Sequence, residues 1–174
     1  MRKALVFAGI FLAAGLAGHV ATLHALPTLI MAKAIRTLQE NGSPTNAFLM
    51  APRMTPQTQT VVRPSPDLAY SICLFDLTDG PVLVQAARWP LYASLSVYDA
   101  RTDNVAALSV QTGSDEANSI VIAYKNDAAP RGEGALRVAV DHPKGVVLIR
   151  RLAPTAELYA AAATAAKGDV CAPL

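Results

Sequence analysis

Between Ala69 and Leu152 the chain repeatedly switches between apolar alternation and short polar breaks. The most regular stretch is LYASLSVYD, Leu91 to Asp99. Leu91, Ala93, Leu95 and Val97 share one face there, and Tyr92, Ser94, Ser96 and Tyr98 the other, the period of a half-buried strand. AYSICLFDL alternates less cleanly, because Ser71, Cys73 and Phe75 oppose Ile72 and Leu74; both faces are apolar enough for a central strand. PVLVQAA follows the turn Thr78-Asp79-Gly80-Pro81. VAALSV, IVIAYK, ALRVAVD and GVVLIRRL complete the series, the last two read as a hairpin around His142-Pro143-Lys144-Gly145. Gln111–Ser119 and Asp127–Gly134 read as exposed loops. Short strands broken every eight to twelve residues or so predict an antiparallel sandwich or barrel rather than βαβ units.

Helical periods flank this region. The tail PTAELYAAAATAAKGDVC predicts a C-terminal helix that starts at Pro154 or Thr155 and stops at Gly168. Glu157 and Lys167 sit at the ends that the helix dipole favours. Near the other end, LIMAKAIRTLQENG predicts a short helix with Ile30, Ala34, Ile35 and Leu38 as its apolar stripe, closed by Asn41-Gly42. Asn41-Gly42-Ser43 is also a formal glycosylation sequon. Ser43 to Pro66, rich in Pro, Thr and Gln, reads as a linker with AFLM as a short strand.

Composition adds a membrane. The chain is 52% hydrophobic and only 16% charged, against about a quarter charged in ordinary soluble domains. The deficit is concentrated: Ala4 to Ala32 contains no Asp, Glu, Lys or Arg. Leu5 to Leu26 has the roughly 20 apolar residues that a helix needs to cross a bilayer core, and Pro27 is expected to interrupt it. A cleaved signal peptide ending near Gly15-Leu16-Ala17 and a buried globular helix are the alternatives. Arg2 and Lys3 precede the run, and Lys33 and Arg36 follow it; the charge rule leans toward a cytoplasmic N-terminus. The domains expected are therefore an anchor over 1–27, a juxtamembrane helix and Pro/Thr-rich linker over 28–66, and a β-rich extracytoplasmic domain over 67–174. This is a mainly β (α+β) chain, single-pass in the inner membrane, with its C-terminal domain periplasmic.

Charge and cysteines narrow the partners. The net charge of +2 equals Arg2 plus Lys3, so thirteen basic residues face thirteen acidic ones in the remainder. A balanced domain has no electrostatic footprint for nucleic acid. Cys73 and Cys171 are the only cysteines. They are either one disulfide, which suits an oxidising compartment, or two buried thiols. A bridge would close a loop of about a hundred residues, contributing at most about 4–5 kcal/mol in the chain-entropy model. No CxxC pair occurs, so redox catalysis and structural zinc lack their usual spacing.

Candidate chemistry is sparse, and neither a cofactor motif nor a metal motif is present. His19 and His24 lie in the apolar run, five apart and so on different helix sides; His142 lies in a turn. Gly-x-Ser-x-Gly, P-loop and Gly-x-Gly-x-x-Gly patterns are missing. Asp67, Asp76, Asp99 and Asp103 lie at or near strand ends, where paired carboxylates do acid–base work or bind cations. The competing reading is that aspartate caps turns, as Asp79-Gly80 and Asp103-Asn104 suggest.

Two blocks of sequence carry a family resemblance. Pro66-Asp67-Leu68-Ala69-Tyr70-Ser71 with Asp76-Leu77-Thr78-Asp79-Gly80-Pro81-Val82 resembles the Asn-x-Asp-Thr-x-Tyr-Ser … Asp-Leu-x-x-Gly-Pro-Val signature of domain-of-unknown-function family 1254. Trp89-Pro90-Leu91-Tyr92 … Val97-Tyr98-Asp99 … Thr102-Asp103-Asn104-Val105 is similar to its Arg-Tyr-Tyr … Asp … Thr-Asn segment. Asp67, Tyr70, Asp76, Asp99 and Asn104 match; Ser65, Ala69 and Leu91 depart from the Asn, Thr and Tyr of longer relatives. The resemblance implies a β-rich bacterial envelope module in its short, membrane-anchored form, working beside a companion protein of family 1214. It implies no activity. The expected function is therefore a non-catalytic binding or assembly module at the membrane. The alternative is a small-ligand or glycan-directed hydrolase or binder that uses Asp67, Tyr70 and Asp99 in one cleft.

Overall fold

In the computed structural model, residues 2–55, 64–125, 127 and 134–174 are described. The elements run α1 (Arg2–Glu40), β1 (Phe48–Met50), β2 (Leu68–Asp76), β3 (Val82–Gln85), β4 (Ala93–Tyr98), β5 (Asn104–Ser109), β6 (Ser119–Tyr124), β7 (Leu136–Val140), β8 (Lys144–Leu152), α2 (Ala156–Ala166) and β9 (Val170–Pro173). A five-stranded sheet has the order β1-β2-β8-β4-β5, and a four-stranded sheet the order β7-β6-β3-β9. The first is antiparallel throughout; in the second, β6 and β7 run parallel. Linker expectations over 56–63 and loop expectations over 128–133 lie outside the described residues.

Alternation explains how the layers meet. Cys73, Phe75, Leu95, Val97, Val147 and Ile149 of the larger sheet pack on Val82, Val84, Ile120, Ile122, Val138 and Val140 of the smaller. That is the shared core of a sandwich, built from one face of each sheet. α2 closes a flank, with Ala162 fully buried and Thr155 capping its start by accepting from the Leu158 amide at 3.2 Å.

The hairpin expected between ALRVAVD and GVVLIRRL does not form. β7 belongs to the smaller sheet and β8 to the larger, so Asp141 to Pro143 bridge the layers instead of turning within one. Both strands present inward residues to the same core from opposite sides, and a local pattern cannot distinguish this from a hairpin. Pro143 ties the arch down through its carbonyl, which accepts from the Leu77 amide at 2.8 Å.

The N-terminal helix also departs from expectation. It runs unbroken from Arg2 to Glu40 with Pro27 inside, so the juxtamembrane helix is not a separate element. Pro27 withholds one backbone donor, and good helix formers on both sides carry the helix past it. What changes at Pro27 is the surroundings. Arg2 to Leu26 are exposed throughout, whereas Pro27, Met31, Ala34, Ile35 and Leu38 form a stripe that is partly or fully buried. Ile30, expected in that stripe, is 57% exposed; Met31 takes its place at 6%.

The stripe lies on the outer face of the five-stranded sheet. α1 touches β8, and Leu74, which alternation turns away from the shared core, is only 2% exposed. The connection to β1 is tightly held. Asn46, at φ +53°, exchanges hydrogen bonds with the Asp76 backbone at 2.8 and 2.9 Å, and its own amide donates to Leu74 at 2.8 Å.

Gly145 opposes Phe75 across β8 and β2. A Cβ there would overlap both the Tyr98 carbonyl oxygen and the Phe75 ring, so ring and backbone would both have to move. Gly145→Ala is expected to destabilise the domain by about 1–3 kcal/mol, read as a lowered midpoint of thermal unfolding with β-type circular dichroism retained at low temperature.

Candidate functional site

Of the three residues expected to share a cleft, Asp67 and Tyr70 stay at one end of the sheet and Asp99 lies at the other. Asp67 precedes the start of β2, next to the end of β8 and the start of β4; Asp99 follows the end of β4, beside Val146 near the start of β8. The Tyr98 row meets β2 at Leu74, seven residues beyond Asp67, which is about 23 Å of strand. Tyr70 stays at the Asp67 end, where its hydroxyl accepts from the Ser65 amide at 2.8 Å.

Asp99 has a structural task where it stands. It is 8% exposed, and one carboxylate oxygen accepts from the amides of Arg101 at 2.8 Å and Asp103 at 3.0 Å. This is the aspartate turn motif, and it closes the β4–β5 hairpin, in which Thr102 adopts φ +68°.

Asp76 has a similar task at the end of β2. Its carboxylate accepts from the Thr78 amide and hydroxyl and pairs with Lys144 at 3.1 Å. Burial alone would raise its pKa, but Thr78 and the Lys144 ammonium together outweigh burial and hold it below the ordinary carboxylate value. Nearby, Leu77, Gly80, Pro81, Tyr124, Asp127 and Pro143 line an open groove of about 720 Å³. Among the described residues no three His, Cys, Asp or Glu side chains gather closely enough to hold a metal ion. His19 and His24 lie on the exposed arm.

The strongest polar cluster is one that the motifs did not flag. Arg151, 1% exposed, points from β8 into the core and makes a two-pronged ion pair with Asp169, one contact at 2.9 Å. Their side chains are 2% and 0% exposed. Arg151 also donates to the Ala87 carbonyl at 3.0 Å and, more weakly, to Ser71 at 3.4 Å; Asp169 accepts from the Ala87 amide at 2.9 Å. Two residues beyond Asp169, Cys171 of β9 is joined to Cys73 of β2 as a disulfide. The signal was present in GVVLIRRL: positions 145, 147 and 149 face inward, so 151 must as well, and an arginine there requires a buried acid.

This is a two-layer β-sandwich module carried on a long apolar N-terminal helix. The chain belongs to the family described as Protein of unknown function (DUF1254), whose model matches residues 45–173, β1 and the rest of the sandwich but not α1. Among solved structures it is similar to the VPA0106 protein from Vibrio parahaemolyticus, with TM-score 0.64 and 18% identity over 85% of this chain and 35% of that one. The chain thus spans about a third of that protein's length. A putative uncharacterized protein from Burkholderia cenocepacia matches with TM-score 0.45 and 15% identity, over 64% of this chain and 32% of that one. No curated protein matches the sequence.

Two experiments test the polar anchors. Arg151→Met alone leaves a buried carboxylate unpaired and is expected to lower unfolding stability by about 3–5 kcal/mol. Adding Asp169→Leu is expected to recover some of that loss, so a double-mutant cycle in urea gives strong coupling. Asp76, with its folded pKa below the unfolded value, contributes stability above about pH 4 that disappears as pH falls through the folded value. Asp76→Asn is therefore expected to reduce stability at neutral pH and to flatten its decline below pH 4, followed by denaturant midpoint against pH.

Proposed function

We propose that the protein is a single-span membrane module that holds its β-sandwich on the periplasmic side of the inner membrane, where it binds a companion envelope protein of the family-1214 type. The observation that carries this reading is the exposed arm from Arg2 to Leu26. Apart from its first two residues, its two histidines and Thr22 it carries no polar side chain, with a mean hydropathy of 2.0 and 0% burial in its most apolar window. At 1.5 Å per residue it reaches about 37 Å, more than the roughly 30 Å of a hydrocarbon core. A helix apolar all round and uncovered by protein is unstable in water and stable in lipid.

Two further features support it. The Cys73–Cys171 disulfide suits an oxidising compartment, and the charge-balanced domain suits a protein partner better than nucleic acid. The alternative, hydrolysis or ligand binding by strand-end carboxylates, has no support in the geometry, since Asp67 and Asp99 lie at opposite ends and Asp99 is committed to its turn.

Membrane fractionation tests the anchor. The protein is expected to stay in the pellet through sodium carbonate washing, with its original N-terminus, and to be digested by protease in spheroplasts but not in intact cells. A mature chain beginning near Gly18 and released by buffer would overturn it. For the partner, co-purification of a family-1214 protein from detergent extracts at native expression is expected; a monomer recovered without it would count against the pairing.

A further inference from the structure

One cation on the outer face of the larger sheet has no ion-pair partner among the described residues. Arg150, on β8, is flanked by Tyr70 on β2 and Ser94 on β4, and alternation turns all three away from the core. Its Nη2 donates to Ser96, itself fully buried, at 3.2 Å, which fixes the guanidinium over β4. Its Nε is sealed from solvent without a hydrogen-bond partner. Arg150 enters none of the ion pairs among the described residues, Asp67 included. A half-buried cation held like this forgoes hydration and receives no charge in return.

The hydroxyls beside it face the same way chemically. Ser94 accepts from the Tyr92 hydroxyl at 3.3 Å, which leaves the Ser94 proton free to donate outward. Directly opposed residues on neighbouring strands have Cβ atoms about 5 Å apart. Arg150, directly opposite Ser94 on the neighbouring strand, makes its side-chain bond to Ser96 and none to Ser94, so both keep donor capacity on the same face. Tyr92, on the same face just before β4, is 50% exposed and marks the solvent-facing rim.

We propose that Arg150 and Ser94, with Ser96 positioning the guanidinium and Tyr92 at the rim, form a binding site for a phosphate group. Arginine with hydroxyl donors is the combination that recognises phosphate oxygens. Two sources share this chemistry: a lipid headgroup, available if the anchor reading holds because α1 packs on the same strand, and a free phosphate or phosphate ester, available in either case.

The test uses the full chain in maltoside micelles, which contain no phosphate. One arm adds inorganic phosphate against chloride at matched ionic strength; the other dopes the micelles with phosphatidylglycerol against diacylglycerol. At about ten times the dissociation constant the unfolding midpoint is expected to rise by roughly 3–6 °C. Arg150→Gln is expected to abolish the rise, while Lys125→Gln, at the far end of the sandwich, keeps it. A rise with lipid alone assigns the headgroup, and a rise with inorganic phosphate assigns the free anion. No rise in either arm, or the same rise in Arg150→Gln, overturns the site. Should Arg150→Gln fail to fold, Ser94→Ala, which removes one donor at a partly exposed position, is expected to weaken phosphate affinity about tenfold; unchanged affinity counts against the proposal. Loss of the site leaves carbonate resistance unaffected, so it can be told apart from failure of the anchor.

Discussion

The sandwich depends on a charge pair in its core. Arg151 comes from the larger sheet and Asp169 from the segment entering the smaller one, and Ala87, which follows β3, is bound to both of them. Two ions removed from water are tolerable only when the pairing is close and the remaining donors are used. Here the fork geometry and the Ala87 backbone meet most of that demand, with Arg151 Nε left unpaired. The result is directional. Apolar side chains can slide past one another, but a forked ion pair accepts one registry of the two layers. The disulfide at Cys171 then holds β9 at the edge that Asp169 has aligned. Ion pair and cross-link thus act on the same few residues of the C-terminal segment.

A second constraint is the absence of a joint between arm and sandwich. Residues 27–38 of the helix lie on the outer face of the larger sheet, and Asn46 locks the following turn onto Leu74 and Asp76. A flexible tether would let the domain sample every orientation relative to the arm's surroundings. A continuous helix with a docked stripe transmits one orientation, so whatever holds the arm also aims the sheet. Pro27 marks where protein contact gives way to exposure.

Much of this was legible in the residues, for identifiable reasons. LYASLSVYD and AYSICLFDL became β4 and β2 because alternation is a local property. The capped α2 and the apolar arm followed from equally local signals, and the family blocks from Pro66 to Val105 fall within the matched range. What stayed hidden was non-local. Nothing in Asp141-His142-Pro143 says that the chain changes sheets there, and nothing in IVIAYK says that its neighbour β7 runs parallel to it. Pro27 looked like a stop because propensity rules weigh the lost hydrogen bond without the flanking helix formers. Asp67 and Asp99 looked like a pair because each adjoins a strand terminus, Asp67 a start and Asp99 an end; which end of the sheet a strand terminus occupies is decided by topology alone.

The polar groups divide by whether their bonding capacity has been used. Asp99 and Asp76 match the family pattern and look catalytic in one dimension, but one oxygen of Asp99 accepts from two turn amides, and both oxygens of Asp76 are engaged by Thr78 and Lys144. Such groups hold loops. Arg151 is likewise satisfied apart from Nε. Arg150 is the contrast: it carries the same charge one position earlier on the same strand, turned to the opposite face, and it is fixed by a single hydroxyl with no carboxylate paired to it among the described residues. Alternation sends the two arginines to opposite fates. The inward one acquires a partner from the chain because the core leaves no other remedy, and the outward one, immobilised and incompletely hydrated, is left with an unmet demand for negative charge. Unused capacity on a rigid surface, rather than a cluster of reactive residue types, is what carries the proposed phosphate site.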